Sequence, residues 1–257
     1  MDAGEYLLQI QAELSRNPND LVFPIDLDGR KYWVKHRPYS KKNNWHRMQG
    51  FFASLLGMPL FKPTVSSGGA KSLRQEANRL NLMYAKGISV PEVIMSEDDF
   101  LITEDCGVQL QEWIEALADI EERQHWLKQA MYLLIQVHEA GFAHGRPMPK
   151  DMLIRDDTLT LIDLEDDPLQ VMTLAEAQAR DVWLFMNAAV RLLLEDTAQT
   201  TSVFELYKAA ISPETQKALC WLVAFVHPFS KFLSRTTLLT YFGRDLRQAL
   251  LANEVME

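Results

Sequence analysis

The chain has 257 residues, 47% of them hydrophobic and 24% charged. This composition excludes a disordered tail, a collagen-like fibre and a disulfide-stapled miniprotein, and it fits one large domain or two lobes. The formal charge of −9 conceals a segregation: residues 30–90 hold twelve Lys or Arg against one acid, Glu76, a net of +11 that leaves −20 for the remainder.

Such a basic segment asks for an anionic partner. The candidates are nucleotide phosphates, an anionic membrane, nucleic acid, or the acidic remainder of the same chain. No apolar run reaches the length of a membrane span. The first residues, with Asp2 and Glu5, lack a basic-then-apolar leader, so a cytoplasmic protein is expected. Cys106 and Cys220 form no metal or disulfide spacing and fit a reducing compartment.

Tyr6, Leu7, Ile10 and Leu14 recur at helical spacing and predict a helix over 3–16. Leu21 to Leu27 and Lys31 to Lys35 predict two strands, joined by the hairpin signal Asp28-Gly29. An amphipathic helix is expected at 45–56, ending near Gly57 and Pro59. Trp45, Met48, Phe51, Phe52, Leu55 and Leu56 share its apolar face, with Lys41, Lys42, His46, Arg47 and Lys62 around them. Aromatics beside basic residues suit an anionic membrane interface, and they suit equally a helix packed on its own domain with a basic outer rim.

A further helix is expected from Lys71 to Lys86, stopped by Gly87, then strands at Val90 to Ile94 and Phe100 to Thr103. After Gly107 come helices at 110–118 and 120–140, the second with Leu127, Met131, Leu134, Ile135 and His138 on its inner face. Short strands follow around 152–163, then helices at 174–195, 202–210, 213–226 and 236–253. A strand-rich start and a helical remainder predict an α+β fold. The division expected is 1–105, with a basic insertion at 40–70, and 106–257.

The most informative stretch is His144-Gly145-Arg146-Pro147-Met148-Pro149-Lys150-Asp151-Met152-Leu153-Ile154, followed by Leu161-Ile162-Asp163-Leu164-Glu165. It resembles the catalytic loop and metal-binding segment of the protein-kinase-like fold. The run Leu73-Arg74-Gln75-Glu76-Ala77-Asn78-Arg79-Leu80 and then Ala85-Lys86-Gly87-Ile88-Ser89-Val90-Pro91-Glu92-Val93 is similar to its atypical bacterial branch, the lipopolysaccharide kinase family and RIO-like kinases. The resemblance covers residues 20–195 and implies a two-lobed α+β architecture.

It also implies roles. Lys35 would reach the α- and β-phosphates of ATP, and Glu76 would pair with it. Leu101 to Gly107 resembles the hinge whose backbone binds adenine, which places Glu104 and Cys106 beside the nucleotide. Asp163 and Asp151 would hold Mg²⁺, a cation that takes hard oxygen ligands from one or two carboxylates plus phosphates. His144 would pack beneath the loop and hydrogen-bond near Asp163. Asp181 would brace the loop through its backbone amides. Glu165, Asp166 and Asp167 read equally well as a solvated acidic turn. His138 and His144 lack the third ligand that zinc requires.

Three departures stand out. The hairpin before Lys35 offers only Gly29 in place of a Gly-rich loop, and forty-one residues separate Lys35 from Glu76. Arg146 stands where the aspartate that orients the acceptor hydroxyl belongs, and a guanidinium cannot accept a proton. Arg146 then either fills that slot and binds an anion or the Asp163 carboxylate, or it stabilises transferred charge while Asp151 or Glu165 orients the acceptor. The expectation is an ATP- and Mg²⁺-dependent phosphotransferase in the cytoplasm, with the inner membrane surface as the alternative location, and a lipopolysaccharide-type or other envelope sugar acceptor implied by the resemblance. A pseudokinase and a membrane-associated scaffold are the alternatives. A nucleic-acid partner is not expected, since no recognition motif appears.

Overall fold

The computed structural model describes residues 3–36, 69–234 and 239–257. The expected helix at 45–56 and most of the basic insertion lie outside these residues.

The fold is α+β. Helix α1 (Ala3–Arg16) precedes a four-stranded antiparallel sheet of β1 (Val22–Leu27), β2 (Arg30–His36), β3 (Val93–Ser96) and β4 (Phe100–Glu104), in the order β1-β2-β4-β3. Asp28 and Gly29 both have positive φ, 53° and 74°, so the hairpin closes through a primed turn whose twist matches its strands. Leu27 then faces Arg30, and every second residue of β1 points inward: Phe23, Ile25 and Leu27 are buried with Val34, Ile102 and Ile10 of α1. Pro24, which has no N–H to donate, sits on the outer side of this edge strand.

Helix α2 (Gly69–Ala85) packs on β3 and β4. Strand β4 is apolar on both faces because both are covered. Phe100 and Ile102 join the cluster beneath α1, while Leu101 joins Leu73, Leu80 and Met83 of α2. Strand β3 begins at Val93, three residues later than its sequence suggests. Pro91 supplies no N–H for a ladder, and Ile88 and Val90 are spent as core residues instead.

A second antiparallel sheet, order β5-β6-β7, contains β5 (Val108–Gln109), β6 (Met152–Arg155) and β7 (Thr158–Leu161). Gly107 makes its first pairing possible. Its φ is +105°, and a Cβ there would lie 2.0 Å from the Ile154 carbonyl oxygen. The remaining helices are α3 (Leu110–Ala116), α4 (Ile120–Glu139), α5 (Leu174–Leu192), α6 (Thr197–Ala210), α7 (Pro213–Ser234) and α8 (Leu239–Met256). Helix α4 turns one face to the core, with Leu127, Ala130, Met131 and Leu134 fully buried. Helix α5 opens with a capping box between Thr173 and Glu176. Helix α6 starts five residues earlier than its apolar spacing indicates because the Asp196 side chain accepts the Gln199 N–H and fixes the start. No described helix is long and apolar enough to cross a membrane.

Candidate functional site

The site forms where β2, α2 and the two loops flanking β6 and β7 converge. Lys35, near the end of β2, pairs across the sheet with Leu101. Its ammonium lies 2.8 Å and 3.0 Å from the two Glu76 carboxylate oxygens, 3.1 Å from Glu165 Oε2 and 3.3 Å from Asp163 Oδ1. One cation therefore touches three carboxylates from two parts of the fold. Burial works to lower the Lys35 pKa, but Glu76, Asp163 and Glu165 outweigh it and hold the ammonium above its ordinary value. Glu76 is only 4% exposed. It loses more to desolvation than Lys35 returns, so its carboxyl is raised even while Lys35 stays charged.

Asp163 follows β7 with φ +65°, in the left-handed region that non-glycine residues seldom occupy. Its carboxylate lies between Lys35 and Arg146, whose Nη2 is 3.5 Å from Oδ2. Burial alone would raise its pKa, but Lys35, by its charge and its hydrogen bond, and then Arg146 hold it below the ordinary carboxylate value. Asp151 ends a short 3₁₀ turn, Pro149–Asp151, and its carbonyl accepts the Ile162 N–H at 2.9 Å, which ties the two segments together. Asp151 is 6% exposed, and its carboxyl is pushed up to about 6, first by burial and then by the Asp163 charge, against the opposing pull of Lys150 and Arg146.

The loop that leads to Asp151 is held through its backbone groups. Fully buried Asp181 of α5 accepts the His144 N–H at 2.6 Å and the Gly145 N–H at 2.8 Å, and His138 Nε2 lies 3.3 Å from it. Arg180 donates to the Gly145 carbonyl at 2.9 Å. His144 Nε2 donates to the Ile162 carbonyl at 2.8 Å, and its Nδ1 accepts the Arg146 N–H at 3.2 Å. One nitrogen donating and the other accepting define a neutral imidazole. Burial, which lowers the His144 pKa, favours the same form. Gly145, at φ +109°, lets the loop approach the chain at 166–168, where a Cβ would meet the Asp166 carbonyl oxygen at 3.3 Å.

No family model matches this chain. An uncharacterized protein of Haemophilus influenzae is 26% identical to it over 166 residues. The match covers 64% of this chain, which spans about 60% of that relative's length.

The structure thus brings Lys35, Glu76, Asp163, Arg146 and Asp151 together, with His144 beneath them. Glu165 joins the ion-paired group, so that part of the acidic turn is not solvated alone; Asp167 instead caps a 3₁₀ turn by accepting the Leu169 N–H. Glu104 and Cys106 stand apart from the cluster. Glu104 pairs with Tyr32, three residues along β2 from Lys35, and its side chain accepts the Glu92 N–H at 2.9 Å while lining a charged cavity with Arg30, Lys31 and Arg155. The Cys106 thiol is buried and pushed up to about 12 by desolvation, with Glu104 adding to the shift. Between them Asp105 accepts from Trp33 Nε1 at 2.6 Å and pairs with Lys31 and Arg155, joining the first sheet to the second. His138 bonds Tyr207 and Asp181, and among the described residues no group of three or more His, Cys, Asp or Glu could hold a metal.

Sequence reasoning missed Arg79. It lies one turn beyond Glu76 on α2 and donates to the carbonyls of Leu164 at 2.8 Å and His144 at 3.3 Å, and also to those of Ala143 and Asp166. Its spacing from Glu76 was the available signal. Its partners, being backbone atoms, left no mark in the sequence.

Proposed function

We propose that this protein is an ATP- and Mg²⁺-dependent phosphotransferase with a two-lobed protein-kinase-like architecture. The observation that carries the reading is the Lys35 ammonium held between Glu76 of α2 and the Asp163 segment after β7. A lysine so anchored is charged and fixed in direction, which a group that steadies nucleotide phosphates requires. The strand order β1-β2-β4-β3, with α2 against β3 and β4, and the Asp181-braced loop support the same architecture.

The donor set fits magnesium. Asp151 and Asp163 offer two hard-oxygen carboxylates, and Mg²⁺ is commonly bound by one or two carboxylates together with waters and substrate phosphates. Bound there, the cation would neutralise charge on the phosphate oxygens. Asp163 would offer its carboxylate from a backbone already turned toward the cleft. Lys35 would leave one of its acidic partners for a phosphate, and Arg146, 55% exposed at its side chain, would be free to swing from Asp163 toward an anionic group. The envelope-sugar acceptor follows from the resemblance, and the site at the inner membrane surface from the aromatic and basic residues between Lys41 and Lys62.

The test is thermal unfolding with saturating ATP and Mg²⁺, for the wild type and for Asp163→Asn. Asparagine keeps the shape and tolerates positive φ. At 100-fold over Kd the wild type should gain about 2.7 kcal/mol, and the variant should lose most of that gain. No stabilisation of the wild type at millimolar nucleotide would sink the reading. One contact favours a second reading: Arg146 against Asp163 suits a protein that binds nucleotide without transferring phosphate. Binding without ATP turnover at any acceptor concentration would select it.

A further inference from the structure

The four hydrogen bonds of Arg79 are divided between two loops that are not adjacent in sequence. Ala143 and His144 begin the loop that Asp181 braces, and Leu164 and Asp166 flank Glu165 just after Asp163. Arg79 shares α2 with Glu76, three residues away, and Glu76 holds Lys35. A guanidinium has five donors in a rigid planar fork, so one side chain can bind carbonyls in two directions, which a single ammonium cannot do with the same geometry. All four acceptors are backbone atoms, so the contact fixes main-chain position rather than side-chain charge.

We propose that Arg79 is a positioning residue that sets α2, the 143–146 loop and the 163–167 segment as one unit, so that the Glu76 grip on Lys35 and the left-handed turn at Asp163 are established together. This rests on the phosphotransferase reading for its consequence in function, but its mechanical part does not. A movement of α2 would carry Glu76 away from Lys35 and at the same time release the carbonyls on either side of Glu165. Asp163 and Glu165, the other two partners of Lys35, would then lose their fixed backbone. The cluster is therefore formed or dispersed as a whole.

The test uses the full chain without nucleotide, compared by hydrogen exchange in the wild type, Arg79→Met and Arg79→Lys. Exchange at 143–147 and at 162–168 should both rise about tenfold or more in each variant, since hydrogen bonds from a charged donor are lost. Helix α6, remote from Arg79, should be unchanged, which separates local release from global loosening. Exchange unchanged in both segments would overturn the proposal. So would full restoration by lysine, because charge alone would then suffice. If Arg79→Met does not fold, Arg79→Lys carries the same comparison. Where the wild type binds ATP with Mg²⁺, both variants should bind about tenfold more weakly. Where it does not, the phosphotransferase reading fails and the exchange result still decides the clamp.

Discussion

Asp163 is held in a conformation that costs an L-residue roughly 1–2 kcal/mol, and its neighbours show what opposes that cost. Lys35 and Arg146 hold its carboxylate between them, and Arg79 fixes the carbonyls that follow. Asp151 is treated differently: burial and the Asp163 charge push its carboxyl up to about 6. Its folded pKa lies above its unfolded value of about 3.9, so the folded state binds the extra proton between those values. The stability it contributes is complete below about pH 4 and is lost as pH rises through about 6. In EDTA, the wild type should therefore lose about 1–3 kcal/mol relative to Asp151→Asn between pH 4 and pH 7. Parallel stability curves for the two proteins, from urea titrations at each pH, would refute this. The Lys35–Glu76 pairing was legible because Glu76 is the lone acid of a basic segment. The role of Arg79 was not, because its acceptors are carbonyls that any sequence supplies.

At the scale of elements, α2 matters because two adjacent turns of one helix serve both sides of the ion-paired cluster: Glu76 reaches β2, and Arg79 reaches the loops beyond α4 and β7. The second sheet matters because it spaces those loops. Its register depends on Gly107, where a side chain would collide with the Ile154 carbonyl and with Arg155 Cβ at 2.9 Å. Gly87 gives a control, since its φ is +77° but nothing lies within 4 Å of a Cβ there. Gly87→Ala should cost about 1 kcal/mol, the ordinary penalty for the left-handed conformation, whereas Gly107→Ala should cost about 4 kcal/mol or more or prevent folding. Equal losses in chemical denaturation would show that the β5–β6 contact yields easily. Elements with a local signature were legible here. Asp28-Gly29 marked its hairpin and the apolar spacing of α4 marked its buried face. The start of β3 was hidden because Ile88 and Val90 look strand-like while serving a core that only the tertiary fold defines.

Across the whole molecule, the larger apolar core ignores the division that composition suggests near residue 105. Leu73, Leu80, Met83, Val90 and Leu101 from the first part are buried in one cluster with Leu127, Met131, Met152, Leu161 and Phe185 from the second. Polar ties follow the same path: Lys35 to Asp163, Arg79 to four carbonyls, Asp105 to Arg155, and the Leu161 N–H to the Ser89 carbonyl at 2.9 Å. The cluster under α1 is local to its sheet and meets the larger one through β4, which serves both with opposite faces. A chain built this way should unfold as one unit, because exposing either part strips apolar cover from the other. Leu101, 2% exposed, lies at the junction. Leu101→Ala should destabilise the protein by about 2–5 kcal/mol. The α-helical circular dichroism and the amide protection of β2 and β4 should then shift to lower urea together. Were the sheet and the helices independent, the helical signal would keep its wild-type midpoint while strand protection fell, and a cleft between them would be a contact of two separately stable bodies. The shared core predicts the opposite: a change at Leu101 reaches Lys35 through β2 and α2, so under the proposed phosphotransferase function its loss of stability should be accompanied by weaker binding of ATP with Mg²⁺.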